Sequence, residues 1–230
     1  MQTSEPNRDG QATVNTGRPE GERDHGAATV APRQAGPHVW TSDQIAGASE
    51  EWSWQLNDVE IEELLTASAA LADGDPDLSL FTAQEFPLPA TGPRLEKLRS
   101  QLIAGRGFGV IQGWPIGDVS VRQSAAAFMG IGAHLGSARS QNAAGHLLGH
   151  IRDLGMDADD PAVRIYQTNA RQTFHTDSSD AVALLCLETA ESGGRSLIVS
   201  AATVYNEMLD QAPELAALLF EPVATDRRGE

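Results

Sequence analysis

The order of the predicted elements favours an α+β fold for this chain of 230 residues. Three helical patterns come first, over residues 59–71, 93–104 and 121–135, and the second half consists mainly of short apolar segments separated by polar turns. Hydrophobic residues make up 40% of the sequence, which is enough to form a core. The length suits one full domain, or one large domain with a tail.

Each of the three helices has recognisable end signals or an apolar side. Asn57 or Asp58 is predicted to cap the first helix, whose apolar positions are spaced for one face. Pro93 lies in the first turn of the second helix and Gly105 follows its last residue, as is typical of helix termini. In the third helix, apolar and small residues recur along one side.

Extended segments are predicted to follow the helices. The apolar run 181–187 is predicted to be a strand buried on both faces, after which Gly193 and Gly194 turn the chain. Shorter patterns predict strands over 108–114, 164–169, 173–176 and 196–200, helices over 205–209 and 213–219, and the beginning of a strand over 220–224.

Residues 1–37 differ in composition from the rest of the chain. They include no aromatic residue, are rich in Gly and Pro, and carry charges of both signs. Such a segment buries too little apolar surface to offset the loss of backbone entropy, so we expect a disordered tail. No apolar stretch typical of a secretory signal follows its charges. The predicted boundary therefore separates a tail over 1–37 from a domain over 38–230.

The charge and cysteine content exclude several classes of function. The chain has 16 basic and 32 acidic residues and a formal net charge of −16, which repels phosphate backbones and anionic lipids. We therefore expect no nucleic-acid partner and no membrane partner. The one cysteine, Cys186, cannot form an internal disulfide and is predicted to be an inert thiol in the core. These features predict a cytoplasmic protein.

The sharpest motif pairs an imidazole with a carboxylate. His175 and Asp177 are two residues apart in a segment predicted to be extended, so their side chains would point to one face. With a second His from elsewhere, such a pair forms the facial triad of non-haem Fe(II) oxygenases. The alternative is a polar turn, in which the side chains of residues 176–180 bind their own backbone.

Four segments resemble the taurine dioxygenase and clavaminate synthase-like family of Fe(II)- and 2-oxoglutarate-dependent oxygenases. The central one reads Tyr166-Gln-Thr-Asn-Ala-Arg-Gln-Thr-Phe-His-Thr-Asp177, followed by an apolar stretch. The others are Glu191-Ser-Gly-Gly-Arg-Ser196, Ser200-Ala-Ala-Thr-Val-Tyr-Asn-Glu-Met-Leu209 and Gly105-Arg-Gly-Phe-Gly-Val-Ile-Gln-Gly-Trp114. The resemblance covers roughly residues 40–230 and implies a double-stranded β-helix (jelly-roll) core with N-terminal helices.

The resemblance also implies a reaction. Members hold Fe(II) through the His-x-Asp pair and a distant His, use dioxygen to convert 2-oxoglutarate to succinate and CO₂, and thereby oxidise an unactivated C–H bond of a small molecule. His175 and Asp177 carry over as metal ligands, and Ser196 stands where the family often has a Thr whose hydroxyl binds 2-oxoglutarate. Asn169 shares strand parity with His175 if no bulge intervenes, so it would face the substrate; otherwise it is a turn or edge amide.

One departure from the family pattern affects the prediction. No histidine follows His175, and the only later arginines are Arg195, Arg227 and Arg228, so neither the third ligand nor the 2-oxoglutarate arginine can be assigned. The segments also give too few strands to close a barrel. We therefore expect the N-terminal portion of a longer dioxygenase, inactive by itself, with an open sheet edge through which it could self-associate.

Two alternatives remain at this stage. The chain could be a non-catalytic remnant or scaffold with a degenerate metal site, pairing through its open sheet edge. His146 and His150, four residues apart, could instead complete a metal site, although surface or partly buried structural histidines are the simpler interpretation. His134 is predicted to pack within the fold or face solvent.

Overall fold

A computed structural model describes residues 30–72, 81–142, 144–160 and 163–222. Helices dominate these residues, and the single sheet is small. In chain order the elements are α1 (Ser42–Ala46), α2 (Ser49–Trp52), β1 (Ser53–Gln55), α3 (Asp58–Leu71), α4 (Gly92–Ala104), β2 (Val110–Gln112), α5 (Val121–Leu135), a 3₁₀ helix (Ile165–Gln167), α6 (Ala201–Gln211) and α7 (Pro213–Leu218). Within the described ranges, no helix is both long and apolar enough to cross a membrane.

The three predicted N-terminal helices are confirmed, and local capping explains their bounds. Asn57 is the N-cap of α3: its Oδ1 accepts from the Glu60 backbone N–H, and the Glu60 carboxylate accepts from the Asn57 N–H, both at 3.0 Å. Helix α4 begins with a Pro in its first turn and ends before Gly105, and α5 is capped by Ser120.

The core lies where α3 and α4 pack against α5, beside the sheet. Strand β1 pairs with β2 in parallel, so the predicted strand over 108–114 is confirmed over three residues. Helix α3 also fixes the beginning of α4, because the Glu63 carboxylate accepts from both backbone N–H groups of Ala90 and Thr91 and from the Thr91 hydroxyl. The central buried side chains are Leu56, Leu64, Phe86, Leu88 and Leu95.

The second half of the chain contains fewer strands than the sequence predicts. Segment 181–187 has no regular structure and most of it is exposed, including Val182 and Leu184, so the prediction of a strand buried on both faces is wrong. Cys186 in this segment is also exposed rather than in the core. A doubly buried strand needs a neighbour on each side and a layer on each face, and no described strand pairs with this segment.

Within the described residues, the other strands predicted for the second half are also absent. Residues 164–169 contain the 3₁₀ helix instead, and segments 173–176 and 196–200 are irregular. Residues 220–222 form no strand, and 223–224 lie outside the described residues. The observed fold is thus a mixture of helices with a small parallel sheet, and the described residues do not form a double-stranded β-helix. The two late helices are confirmed as α6 and α7, with α6 longer than predicted.

Residues 31–40 lie along α6 and bind it through side chains of the helix. Asn206 is buried, and its amide pairs with both backbone groups of Gln34: Oδ1 accepts from the N–H at 2.8 Å and Nδ2 donates to the C=O at 3.0 Å. Thr203 makes the same two-way pairing with the backbone of Trp40. Residues 31–37 are therefore held against α6 and are not disordered as predicted. Residues 1–29 lie outside the described residues, and the predicted domain boundary at residue 38 stays a prediction.

Replacement of Asn206 by Ala should weaken the attachment of residues 31–40 to α6. The Gln34 N–H and C=O then lose their partners, but because Gln34 is only half-buried, water replaces part of the interaction and we expect a loss of about 1–2 kcal/mol. Hydrogen exchange of the amides in residues 31–40 measures the effect. Gln211→Ala, which removes an exposed Gln on the same helix, is the control. Equal exchange rates in the two variants would contradict the prediction.

Candidate metal centre

His175 and Asp177 lie close together on an irregular segment that follows the 3₁₀ helix. The His175 Nε2 atom is 4.0 Å from the Asp177 Oδ1 atom, and both side chains are about half exposed, at 47% and 55%. The strand that was predicted to bring them to one face is absent. The local path of the chain nevertheless places an imidazole nitrogen and a carboxylate oxygen toward each other.

Both ring nitrogens of His175 have a partner. Nδ1 lies 2.8 Å from the carbonyl oxygen of Thr173, and Nε2 lies 3.2 Å from the amide nitrogen of Gln172. A carbonyl oxygen only accepts, so Nδ1 carries the proton. In the neutral imidazole, Nε2 then carries the lone pair, as a metal ligand must. This nitrogen lies on the side of the ring toward Asp177.

The two candidate ligand atoms, His175 Nε2 and Asp177 Oδ1, lie farther apart than two ligands of one metal ion. Two atoms that are each ~2.1 Å from a metal and subtend a right angle are about 3.0 Å apart. The observed 4.0 Å must therefore shorten, which rotation of exposed side chains can achieve. A nitrogen and a carboxylate oxygen are also the donor types found in the two-histidine, one-carboxylate Fe(II) site. The pair fits two of the three protein ligands of such a site.

Backbone pairing holds the chain that leads to this pair. The Arg152 N–H donates to the Tyr166 C=O, and the Leu154 N–H donates to the Gln167 C=O at 2.8 Å. The 3₁₀ helix is closed by the Thr168 hydroxyl, which donates to the C=O of Ile165. The segment before the pair is thus attached to residues 152–154, although no strand is formed there.

The other predicted site residues are not brought to the pair. Asn169 is exposed in a bend directly after the 3₁₀ helix, and Ser196 is exposed in the irregular segment before α6. Within the described part of the chain, neither side chain hydrogen-bonds His175 or Asp177. Their roles toward substrate and 2-oxoglutarate stay predictions.

His146 and His150 do not lie on one face of a helix. His146 lies directly after a turn, where its Nδ1 is 3.1 Å from the side-chain amide nitrogen of Asn142 and its C=O accepts from the Gln141 N–H. His150 follows in an irregular, exposed segment, so the spacing of one helical turn does not apply. His134 packs in the fold as predicted, since its Nε2 is 2.8 Å from the Phe86 carbonyl. Among the described residues, no three His, Cys, Asp or Glu side chains form a metal-binding group.

Sequence reasoning missed the partners of His175. Gln172 and Thr173 lie inside the motif that carries the family resemblance, but neither was assigned a role. Thr173 acts through its backbone carbonyl, which leaves no signature in the sequence. For Gln172, the only available signal is an amide three residues before a candidate metal-binding histidine.

The sequence is similar to a known protein family and to two curated proteins. Residues 70–230 match the family described as taurine catabolism dioxygenase TauD, TfdA family. The chain is 33% identical over 196 residues to FR-33289 synthase of Streptomyces rubellomurinus, covering 85% of the chain and 58% of that protein. It is 28% identical over 204 residues to the taurine hydroxylase-like protein SAT17 of Stachybotrys chartarum, covering 86% and 53%. The chain thus spans about half the length of these relatives. Because the family match covers more than half of its residues, the chain belongs to the TauD/TfdA family of dioxygenases.

Proposed function

We propose that this chain supplies two protein ligands, His175 and Asp177, to the Fe(II) centre of a 2-oxoglutarate-dependent oxygenase. The observation that carries the proposal is the 4.0 Å approach of His175 Nε2 to Asp177 Oδ1, with Nδ1 held by the Thr173 carbonyl. Family membership supports the identity of the metal and of the cosubstrate. The substrate is a small molecule with an unactivated C–H bond.

When bound, Fe(II) would activate dioxygen with 2-oxoglutarate as the reducing cosubstrate, which would become succinate and CO₂ while the C–H bond is oxidised. The chain's own residues have simpler roles. His175 binds as a neutral imidazole whose Nδ1–H is held by the Thr173 carbonyl, and Asp177 binds as a carboxylate. The Ser196 hydroxyl would donate to a carboxylate of 2-oxoglutarate, and the Asn169 amide would contact the substrate.

The proposed centre needs a third ligand and a basic partner for 2-oxoglutarate. No histidine follows His175 in the sequence, and the described residues hold no group of three ligand side chains. The relatives are also nearly twice as long as the matched region. We infer that polypeptide outside this sequence completes the site, and that these 230 residues alone have little or no turnover.

The test combines a spectrum with metal binding. Fe(II) and 2-oxoglutarate, added without oxygen to a longer parent protein, should give the weak visible charge-transfer band of the chelate, and air should then yield succinate. For the 230-residue chain, His175→Ala and Asp177→Ala should each weaken Co(II) binding at least about tenfold, because each removes a direct ligand.

His150→Ala is the matched control, since it removes another exposed histidine from an irregular segment. It should leave Co(II) binding unchanged. A loss of binding in both histidine variants would instead indicate a site shared by His150 and His175. Unchanged binding in His175→Ala, together with no charge-transfer band and no succinate from the parent, would refute the oxygenase proposal.

A scaffold function is the second candidate, and exposed apolar side chains favour it. Val182, Leu184, Leu197 and Ile198 are each more than half exposed on irregular segments. Such surface is unfavourable in water and suits pairing with another chain or a second copy. A chain that self-associates with increasing concentration, and whose metal binding does not depend on His175, would support the scaffold over the oxygenase.

A further inference from the structure

The metal-facing nitrogen of His175 is already engaged by another side chain of the same segment. The Gln172 amide nitrogen lies 3.2 Å from His175 Nε2, on the atom that faces Asp177. Both residues belong to the exposed irregular segment, so no packing forces this contact. The contact is local, between residues three apart in the sequence.

The direction of this hydrogen bond follows from the other end of the ring. Because the Thr173 carbonyl can only accept, Nδ1 donates and Nε2 of the neutral ring must accept. The Gln172 –NH₂ group is a donor and matches that lone pair. The two partners therefore select the same tautomer, the one in which Nε2 is ready to bind a cation.

We propose that Gln172 is a positioning residue that occupies Nε2 of His175 until the metal replaces it. The inference rests on the proposed function, since it assigns the metal to that nitrogen. Before binding, the amide donates to the lone pair and keeps the ring turned toward Asp177. On binding, the amide leaves Nε2 and returns to water, while the bond from Nδ1 to the Thr173 carbonyl persists.

Two opposing effects decide the outcome of removing the amide. Loss of the donor frees Nε2 and favours the metal, whereas loss of an orienting contact disfavours it. The first effect should win, because the shorter bond to Thr173 still orients the ring. A single exposed hydrogen bond has a small net free energy, so Gln172→Met should bind Co(II) about two- to fivefold more tightly. Met preserves the length of the side chain but has no N–H donor.

The experiment measures Co(II) affinity by calorimetry in the wild-type chain and three variants. Gln141→Met is the matched control, because Gln141 is an exposed glutamine that donates to the carbonyl of Arg139. It should leave the affinity unchanged. His175→Ala reports whether the ion binds at the proposed site.

Nitrogen-15 spectra of the histidine rings give a second readout without metal. In its neutral form, the wild-type His175 ring should show a protonated Nδ1 and an unprotonated Nε2. Gln172→Met should retain this tautomer and shift only the Nε2 signal, because only Nε2 loses a donor.

The outcomes separate the two proposals. Tighter Co(II) binding in Gln172→Met, with a shifted Nε2 signal, supports the proposal that Gln172 occupies Nε2 until the metal replaces it. If His175→Ala abolishes binding but Gln172→Met binds like the wild type or more weakly, or if the Nε2 signal does not move, the role of Gln172 is refuted while the metal site stands. If His175→Ala does not alter Co(II) binding, the metal site fails, and the role of Gln172 fails with it.

Discussion

Arg94→Met should lower the free energy of unfolding by about 2–3 kcal/mol. Arg94 Nη1 lies 2.8 Å from both carboxylate oxygens of Glu60, whose side chain is only 3% exposed. Removing one partner of a buried pair typically costs about 3–5 kcal/mol, because a charge stays in the interior without its counterion. We expect a loss below this range, because Arg94 is 34% exposed and the Asn57 N–H still donates to the same carboxylate.

Methionine is a suitable replacement because it separates the charge from the packing. The Arg94 guanidinium lies 4.4 Å from the centre of the Trp54 ring, and a thioether can maintain contact with that ring. The observed loss then reports mainly the unpaired Glu60 carboxylate. Urea unfolding followed by circular dichroism gives the midpoint, and an unchanged slope would show that the unfolded state is unaltered.

Arg99→Met, on the same helix, is the control for this prediction. Arg99 pairs with Glu96 at 3.9 Å, and both side chains are largely exposed, so water replaces the pair at little cost. We expect a change below about 0.5 kcal/mol. If the two Arg→Met variants unfolded at the same urea concentration, the buried pair would contribute no more than a surface one, and the prediction would be wrong.

Helices α3, α4 and α5 could be predicted because their signals are local. The cap at Asn57, the Pro in the first turn of α4 and the Gly after it act within a few residues of themselves. Helix α5 was predicted with the bounds that the structure has. Each of these helices also finds its packing partners among the other two, so the tertiary structure does not override the local preference.

The positions of strands in the second half of the chain could not be predicted, because a strand is defined by partners that are distant in sequence. The run 181–187 has the composition of a buried strand, yet no described strand pairs with it and its Cys186 is exposed. An apolar pattern shows that a segment suits burial and does not show what buries it. The chain spans about half the length of its relatives, so the segments that would pair with this run need not lie within this sequence.

The structure brings His175 and Asp177 close together, but not through the local structure that the sequence predicted. Strand alternation predicted that His175 and Asp177 share a face, but an irregular segment brings their ligand atoms to 4.0 Å. The spacing of the pair was informative because one intervening residue keeps two side chains close in several backbone conformations. The contacts of Gln172 and Thr173 depend on the particular path of this segment, so composition and periodicity could not predict them.

Gly130→Ala and Gly132→Ala should change stability in opposite directions, although both glycines lie in α5. A Cβ atom at Gly130 would meet three carbon atoms of the Phe86 ring at 2.4 Å, whereas a Cβ at Gly132 would meet nothing within 4 Å. Alanine favours the helix over glycine by about 0.5–1 kcal/mol at either position. Overpacking of a core costs about 1–3 kcal/mol, so the steric term dominates at Gly130 and is absent at Gly132.

Phe86 cannot easily move away from an added methyl group. Its ring is fully buried, and its backbone is held at both ends: the N–H donates to the Thr82 carbonyl, and the C=O accepts from His134 Nε2 of α5 itself. Gly130→Ala should therefore destabilise the fold by about 1–2 kcal/mol after the helical gain is subtracted. Gly132→Ala should stabilise it by about 0.5–1 kcal/mol.

The contrast between the two variants is more informative than either value, because propensity and unfolded-state entropy are nearly the same at both positions. Thermal unfolding measured under identical conditions should place the two transitions on opposite sides of the wild type. If Gly130→Ala were as stable as Gly132→Ala, α5 would not lie as close to Phe86 as the structure shows. His134→Ala provides a second measurement: by releasing the Phe86 carbonyl it should let the ring retreat, and the additional cost of Gly130→Ala in that background should become smaller.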